Sequence, residues 1–141
     1  MLKRWLNNLW AVLAWGLVDI LAFAVLIQAA NLYQVVLRVT LLANRWSNTL
    51  WLDLYYVTAG LLWLGFVILM EHLLLDPESL DGLLLPRTLF AVGIELLVIG
   101  LLQMGLQAYL PFSWLGVGLA LVELLAGAGL IWAARRKPRR V

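Results

Sequence analysis

Long apolar runs alternate with short polar stretches along the chain and predict four membrane spans, at 10–32, 50–72, 88–109 and 113–134. Each run has about 22 or 23 residues, enough for a helix rising 1.5 Å per residue to cross a hydrocarbon core of roughly 30 Å. We therefore predict an all-α, polytopic integral membrane protein. Its four transmembrane helices are expected to form an antiparallel bundle, so that residues 1–141 make a single transmembrane domain.

The composition supports this class of protein. Hydrophobic residues make up 65% of the chain and charged residues 13%, whereas soluble domains are near half apolar and a quarter charged. These values exclude an ordinary soluble domain. The chain has no cysteine, which removes disulfides, thiolate metal sites and cysteine nucleophiles together.

The start of the chain resembles a signal peptide only in its basic residues. Lys3 and Arg4 precede the first apolar run, but that run is longer than the apolar region of a signal peptide and is interrupted by Asp19. We expect the first helix to be retained.

The connections between spans carry recognisable boundary residues. The link between spans three and four is only a few residues long and contains Pro111, which predicts a tight antiparallel hairpin with Ser113 as the N-cap of the fourth helix. The acidic loop 73–87 includes Asp76-Pro77-Glu78, a pattern typical of a short helix start, and ends with Pro86 just before the third span.

Residues 33–46 have two possible structures. Asn31, Gln34, Arg38 and Arg45 fall on one side of a helical wheel, which favours a separate helix lying at the outer interface. The alternative is an extension of the first helix, since no glycine or proline follows Leu32 directly. We predict the interfacial segment.

Basic residues are distributed unevenly between the two sides of the membrane. With four spans, one side collects the basic residues of both termini and of the central loop, while Arg38 and Arg45 alone lie on the other side. This asymmetry predicts cytoplasmic N- and C-termini, in the inner membrane if the source is bacterial. The basic tail, 135–141, is expected to contact lipid headgroups or a partner, as are Arg38 and Arg45; its basic residues are Arg135, Arg136, Lys137, Arg139 and Arg140.

Three carboxylates lie inside the predicted spans: Asp19, Glu95 and Glu123. An ionised acid near the helix centre costs about 2.5–3.5 kcal/mol, and keeping an acid with an ordinary pKa of about 4.3 neutral at pH 7 costs roughly 3.7 kcal/mol. The two costs are close. The acids can therefore form a proton or cation site, act as neutral packing groups, or pair with a cation from another chain.

Small residues indicate where helices pack closely. Gly93 and Gly100 are seven residues apart on the third helix, and the fourth carries Gly116, Ala120 and Gly127 on the side of Glu123. On the third helix Glu95 stands about 200° around from Gly93. One of these sides can face the chain's own bundle, and the other would face lipid unless a second copy or another subunit covers it. This geometry therefore favours an oligomer or a subunit of a larger complex.

Other chemistry finds little support in the sequence. One histidine, His72, is too few for a zinc or haem site, so we predict no metal and no cofactor. The tail is short, follows a span directly and lacks interleaved aromatic residues, so no nucleic acid partner is expected. Most Trp and Tyr residues fall near the predicted membrane interfaces, whereas Trp15 and Trp63 lie deeper.

These observations favour a non-catalytic accessory or assembly subunit of a membrane complex, or a homo-oligomer, whose environment is the lipid bilayer. The alternative is a small proton- or cation-coupled carrier that uses the intramembrane carboxylates. An enzyme is not expected, because no nucleophile–base pair or metal set has suitable spacing.

Overall fold

Four α-helices account for the fold. The computed structural model describes residues 2–40, 45–76 and 82–136, with the side chains of 2–4 and 45–48 outside the description. The helices are α1 (Leu2–Thr40), α2 (Arg45–Leu75), α3 (Leu84–Gln107) and α4 (Trp114–Arg135). All four are long and apolar enough to cross a membrane. The predicted all-α, four-helix, multi-pass fold is confirmed.

The predicted interfacial helix is wrong for residues 33–40, which continue α1 without a break. The continuation packs on α2: the ring of Tyr33 stacks on that of Tyr55 with centroids 5.1 Å apart, and Gln34 Nε2 donates to Tyr56 Oη at 3.3 Å. These contacts with α2 stabilise the straight continuation of α1 relative to a bend into the interface. Residues 41–44 lie outside the described residues, and Arg45 already belongs to α2.

The helices are neighbours in the order α2, α1, α3, α4. α1 packs against both α2 and α3, α3 also packs against α4, and α2 touches α3 only slightly. Within the described residues α4 has α3 as its single neighbour. The arrangement makes α1 and α3 the central helices and leaves α2 and α4 at the two ends.

Polar and aromatic contacts join α1 to α2. Tyr55 Oη donates to the carbonyl oxygen of Leu26 at 2.9 Å, and Trp15 Nε1 donates to that of Val67 at 3.4 Å. Between them, the ring of Phe23 meets that of Trp63 edge to face at 5.8 Å. In the membrane such bonds are worth about 0.6 kcal/mol each.

A tight turn joins α3 to α4 and confirms the predicted hairpin. Ser113 is the N-cap of α4, and its hydroxyl accepts from Gly116 N at 3.3 Å. The Ser113 amide in turn donates to Gln107 Oε1 at 3.3 Å, which ties the end of α3 to the start of α4. At the other end of α3, Pro86 lies in the first turn, where its missing N–H removes no helical hydrogen bond.

Some predicted features lie outside the described residues. They are residues 77–81 of the acidic loop, including the Pro77-Glu78 pair, and the tail residues Lys137, Arg139 and Arg140. The side chain of Arg45 is outside the description as well.

Candidate functional site

The α3–α4 interface is built from small residues, as the spacing predicts. A Cβ placed on Gly127 would lie 2.7 Å from the carbonyl oxygen of Gly93, and one on Gly100 would lie 3.0 Å from that of Ala120. Such distances are too short for a side chain, so the two backbones touch directly. A Cβ on Gly116 would clash with the side-chain amide of Gln107. Gly93, Gly100, Gly116, Ala120 and Gly127 are all buried.

Glu95 lies on the side of α3 away from this interface and is only 5% exposed. Neither carboxyl oxygen has a hydrogen-bond partner among the described residues. Burying such a group without a partner costs roughly 1–3 kcal/mol. A destabilisation of this size on a central helix marks Glu95 as a candidate functional residue.

The Glu95 side of α3 is covered by α1 and α2 of the same chain. This finding removes the basis of the geometric prediction that a second chain must cover one side of α3. The reason is that α3 is central: α4 takes its glycine side and α1 takes the other. The angular positions of Gly93 and Glu95 on α3 could not show that the same chain supplies a neighbouring helix for each side.

A cavity of about 280 Å³ borders the Glu95 side chain. Its described walls come from α1, α2 and α3 and are almost entirely apolar, and Glu95 and Trp63 are the lining residues that carry a polar group. Trp63 Nε1 is also buried without a hydrogen-bond partner in the described part of the chain. Leu26 and Trp63 additionally line a second cavity of about 240 Å³ between α1 and α2, so they stand between the two spaces.

The three predicted acids are not brought together as one group. Asp19, on α1, is close enough to Glu95 for their charges to interact, and Glu71 on α2 interacts with Asp19 in the same way. Asp19 Oδ1 is buried without a partner among the described residues. Glu123 lies on α4, which contacts neither α1 nor α2 within the described ranges, and its Oε2 is likewise buried and unpartnered there.

No described basic side chain accompanies these acids into the membrane. The described basic residues lie at helix ends: Arg38, His72, Arg87, Arg135 and Arg136. The region around Asp19 and Glu95 is therefore rich in acceptors. The described cations His72 and Arg87 lie beyond Glu71, near the end of α2, where Arg87 donates to the Leu73 carbonyl oxygen. The region around Asp19 and Glu95 can hold a proton, or a cation from outside this chain.

The predicted headgroup contacts lie on the surface. Arg38, Arg135 and Arg136 are exposed, and the guanidinium of Arg136 stacks over the Trp132 ring at 3.4 Å. A cation paired with a tryptophan at a helix end is typical of a membrane interface.

Two members of the site were missed by the sequence analysis. Glu71 lies at the end of the predicted second span and was not grouped with the intramembrane acids, whereas α2 runs on to Leu75. Trp63 was noted only as a deep tryptophan. Its depth was the available signal, because tryptophan usually prefers the interface.

Metal chemistry gains no support from the described residues, which contain no group of three or more His, Cys, Asp or Glu side chains suited to a metal ion. Comparisons with protein-family models, with curated proteins and with solved structures find no match to this chain. Fold and site together define a small α-helical, multi-pass membrane protein whose central helices carry acids with buried oxygens that have no hydrogen-bond partner among the described residues.

Proposed function

We propose that this protein is a non-catalytic accessory or assembly subunit of a membrane complex, or a homo-oligomer, and that α4 provides its contact surface. The observation that carries the proposal is that α4 has only α3 as a neighbour within the described residues. Its opposite side carries Gly118 and Gly129, where an added Cβ would meet nothing within 4 Å. Glycine weakens a helix, and small residues facing outward in a membrane favour close approach of another helix.

The experiment compares the mass of the purified protein with that of two variants. Native mass spectrometry in mild detergent should show an assembly larger than the 15.9 kDa chain. The double variant Gly118→Leu/Gly129→Leu should release the single chain, because leucine prevents close helix contact on this side. Gly65→Leu on α2 is the matched control, since its position is equally open, and it should leave the assembly intact.

A wild-type protein that is monomeric and co-purifies with no companion would contradict the proposal. So would an assembly that survives the double variant unchanged.

The orientation is part of the proposal. Cytoplasmic termini follow from the basic residues on that side, and the exposed Arg135 and Arg136 at the end of α4 are placed to contact headgroups. Reporter fusions at the N- and C-termini should both be active in the cytoplasm. Opposite compartments for the two reporters would refute the four-span topology.

A second candidate function is a proton- or cation-coupled carrier, favoured by the interaction of the buried Glu95 with the half-buried Asp19. In proteoliposomes, Glu95→Gln should abolish coupled flux, whereas Glu123→Gln, away from this pair, should retain it. Equal flux in both variants would count against transport through Glu95.

A further inference from the structure

We propose that the cavity between α1, α2 and α3 binds a monovalent organic cation with apolar substituents, with the Glu95 carboxylate as its counter-ion. The site is complete within one chain, because its walls come from three helices of that chain. It is therefore compatible with either function proposed above and does not depend on assembly or flux.

The first step of the inference is the unpartnered charge. Glu95 borders the cavity, is 5% exposed and has both carboxyl oxygens without a partner among the described residues. A positive group inside the cavity would supply the missing partner, and charge-assisted contacts are stronger in a low-dielectric surrounding than in water.

The second step is the chemistry of the walls. Aliphatic side chains from all three helices line the cavity together with the aromatic rings of Trp63 and Phe66. Aromatic faces attract organic ammonium groups, and apolar walls favour their alkyl or aryl substituents. A ligand with a cationic centre and an apolar body matches both parts of the site.

The third step excludes a bare metal ion as the fitting ligand. Hard cations such as Ca²⁺ and Mg²⁺ take about six or more oxygen ligands, and Glu95 is the only carboxylate among the lining residues. Apolar walls cannot replace a hydration shell. An organic cation is less strongly hydrated than a metal ion, so it loses less on entering the cavity, and pairing with the Glu95 carboxylate offsets the cost of burying its charge.

The experiment uses the full chain in dodecyl maltoside micelles, which contain no ammonium group, with benzyltrimethylammonium as the probe. Isothermal titration calorimetry, corrected for empty micelles, should show saturable binding. The neutral isostere neopentylbenzene, in which carbon replaces the ammonium nitrogen, should not displace the probe.

Two variants test the site directly. Glu95→Gln keeps the shape of the side chain and should weaken binding at least about tenfold. Val98→Phe keeps the carboxylate but fills the cavity, and should also weaken binding. Glu123→Gln is the matched control: it removes a carboxyl from α4, outside the cavity, and should bind as the wild type does. Circular dichroism verifies that each variant is folded.

Absence of saturable binding to the folded wild type would overturn the proposal. Equal affinity of wild type and Glu95→Gln, or an equal loss in Glu123→Gln, would also overturn it. Added phosphatidylcholine should not compete. If it displaces the probe, the cavity takes a lipid headgroup and the assignment to a free cation is wrong.

Discussion

Gly127 should tolerate no side chain, because the backbone of α3 occupies the space a methyl group would need. A Cβ on Gly127 would lie 2.7 Å from Gly93 O, 2.9 Å from Leu97 N and 2.9 Å from Leu97 Cγ. Two of these three atoms belong to the backbone of α3 and cannot rotate away. In Gly127→Ala the two helices must therefore separate locally or the contact must be lost.

The magnitude follows from two opposing effects. Overpacking of a close interface costs typically about 1–3 kcal/mol, while replacing glycine by alanine within a helix returns about 0.5–1 kcal/mol. Gly118→Ala on the same helix gains the stabilisation of alanine over glycine without the overpacking cost, because nothing lies within 4 Å of its added Cβ. The difference between the two variants therefore isolates the overpacking, about 1–3 kcal/mol.

Unfolding in mixed micelles by titration with dodecyl sulfate, followed by circular dichroism, measures this difference. Gly127→Ala should unfold at clearly lower denaturant than Gly118→Ala. Equal stability of the two variants would refute the direct backbone contact between α3 and α4.

Three further predictions concern single hydrogen bonds and use the same unfolding assay. Ser113→Ala removes the cap of α4 and should destabilise by about 0.5–2 kcal/mol, whereas Ser113→Asn, which can also cap, should retain most of the stability; equal losses would refute a capping role. Tyr55→Phe loses the 2.9 Å bond to the carbonyl of Leu26 and should cost about 0.6 kcal/mol, and a gain in stability would contradict that bond. Arg87→Met breaks the 2.8 Å contact with the carbonyl of Leu73 at the end of α2, and should cost about 0.5–1.5 kcal/mol, while Arg87→Lys, which can still donate, should cost less.

The parts of the fold that were predictable are those fixed by local pattern. Run length gave the four spans, and the short connection containing Pro111 gave the hairpin with its Ser113 cap. The seven-residue spacing of Gly93 and Gly100 identified the close side of α3 because each glycine returns to the same side after two turns.

The order of helices could not be predicted, and the site depends on it. Asp19 and Glu95 both lie inside predicted spans, but position within a span does not fix the rotation of one helix relative to another. Their proximity exists because α1 packs beside α3. The same uncertainty left open which helices cover the Glu95 side of α3, and it concealed Trp63 as part of the cavity.

The central claim is that Glu95 is buried without a hydrogen-bond partner among the described residues, and the stability of Glu95→Met tests it most directly. Methionine has a similar length and no charge, so in the purified protein without added organic cation it should remove an unpartnered buried polar group. Dodecyl sulfate unfolding should then show the variant to be more stable than the wild type by about 1–3 kcal/mol. A variant that is less stable than the wild type would show that the Glu95 carboxyl has a stabilising partner, and would contradict the account.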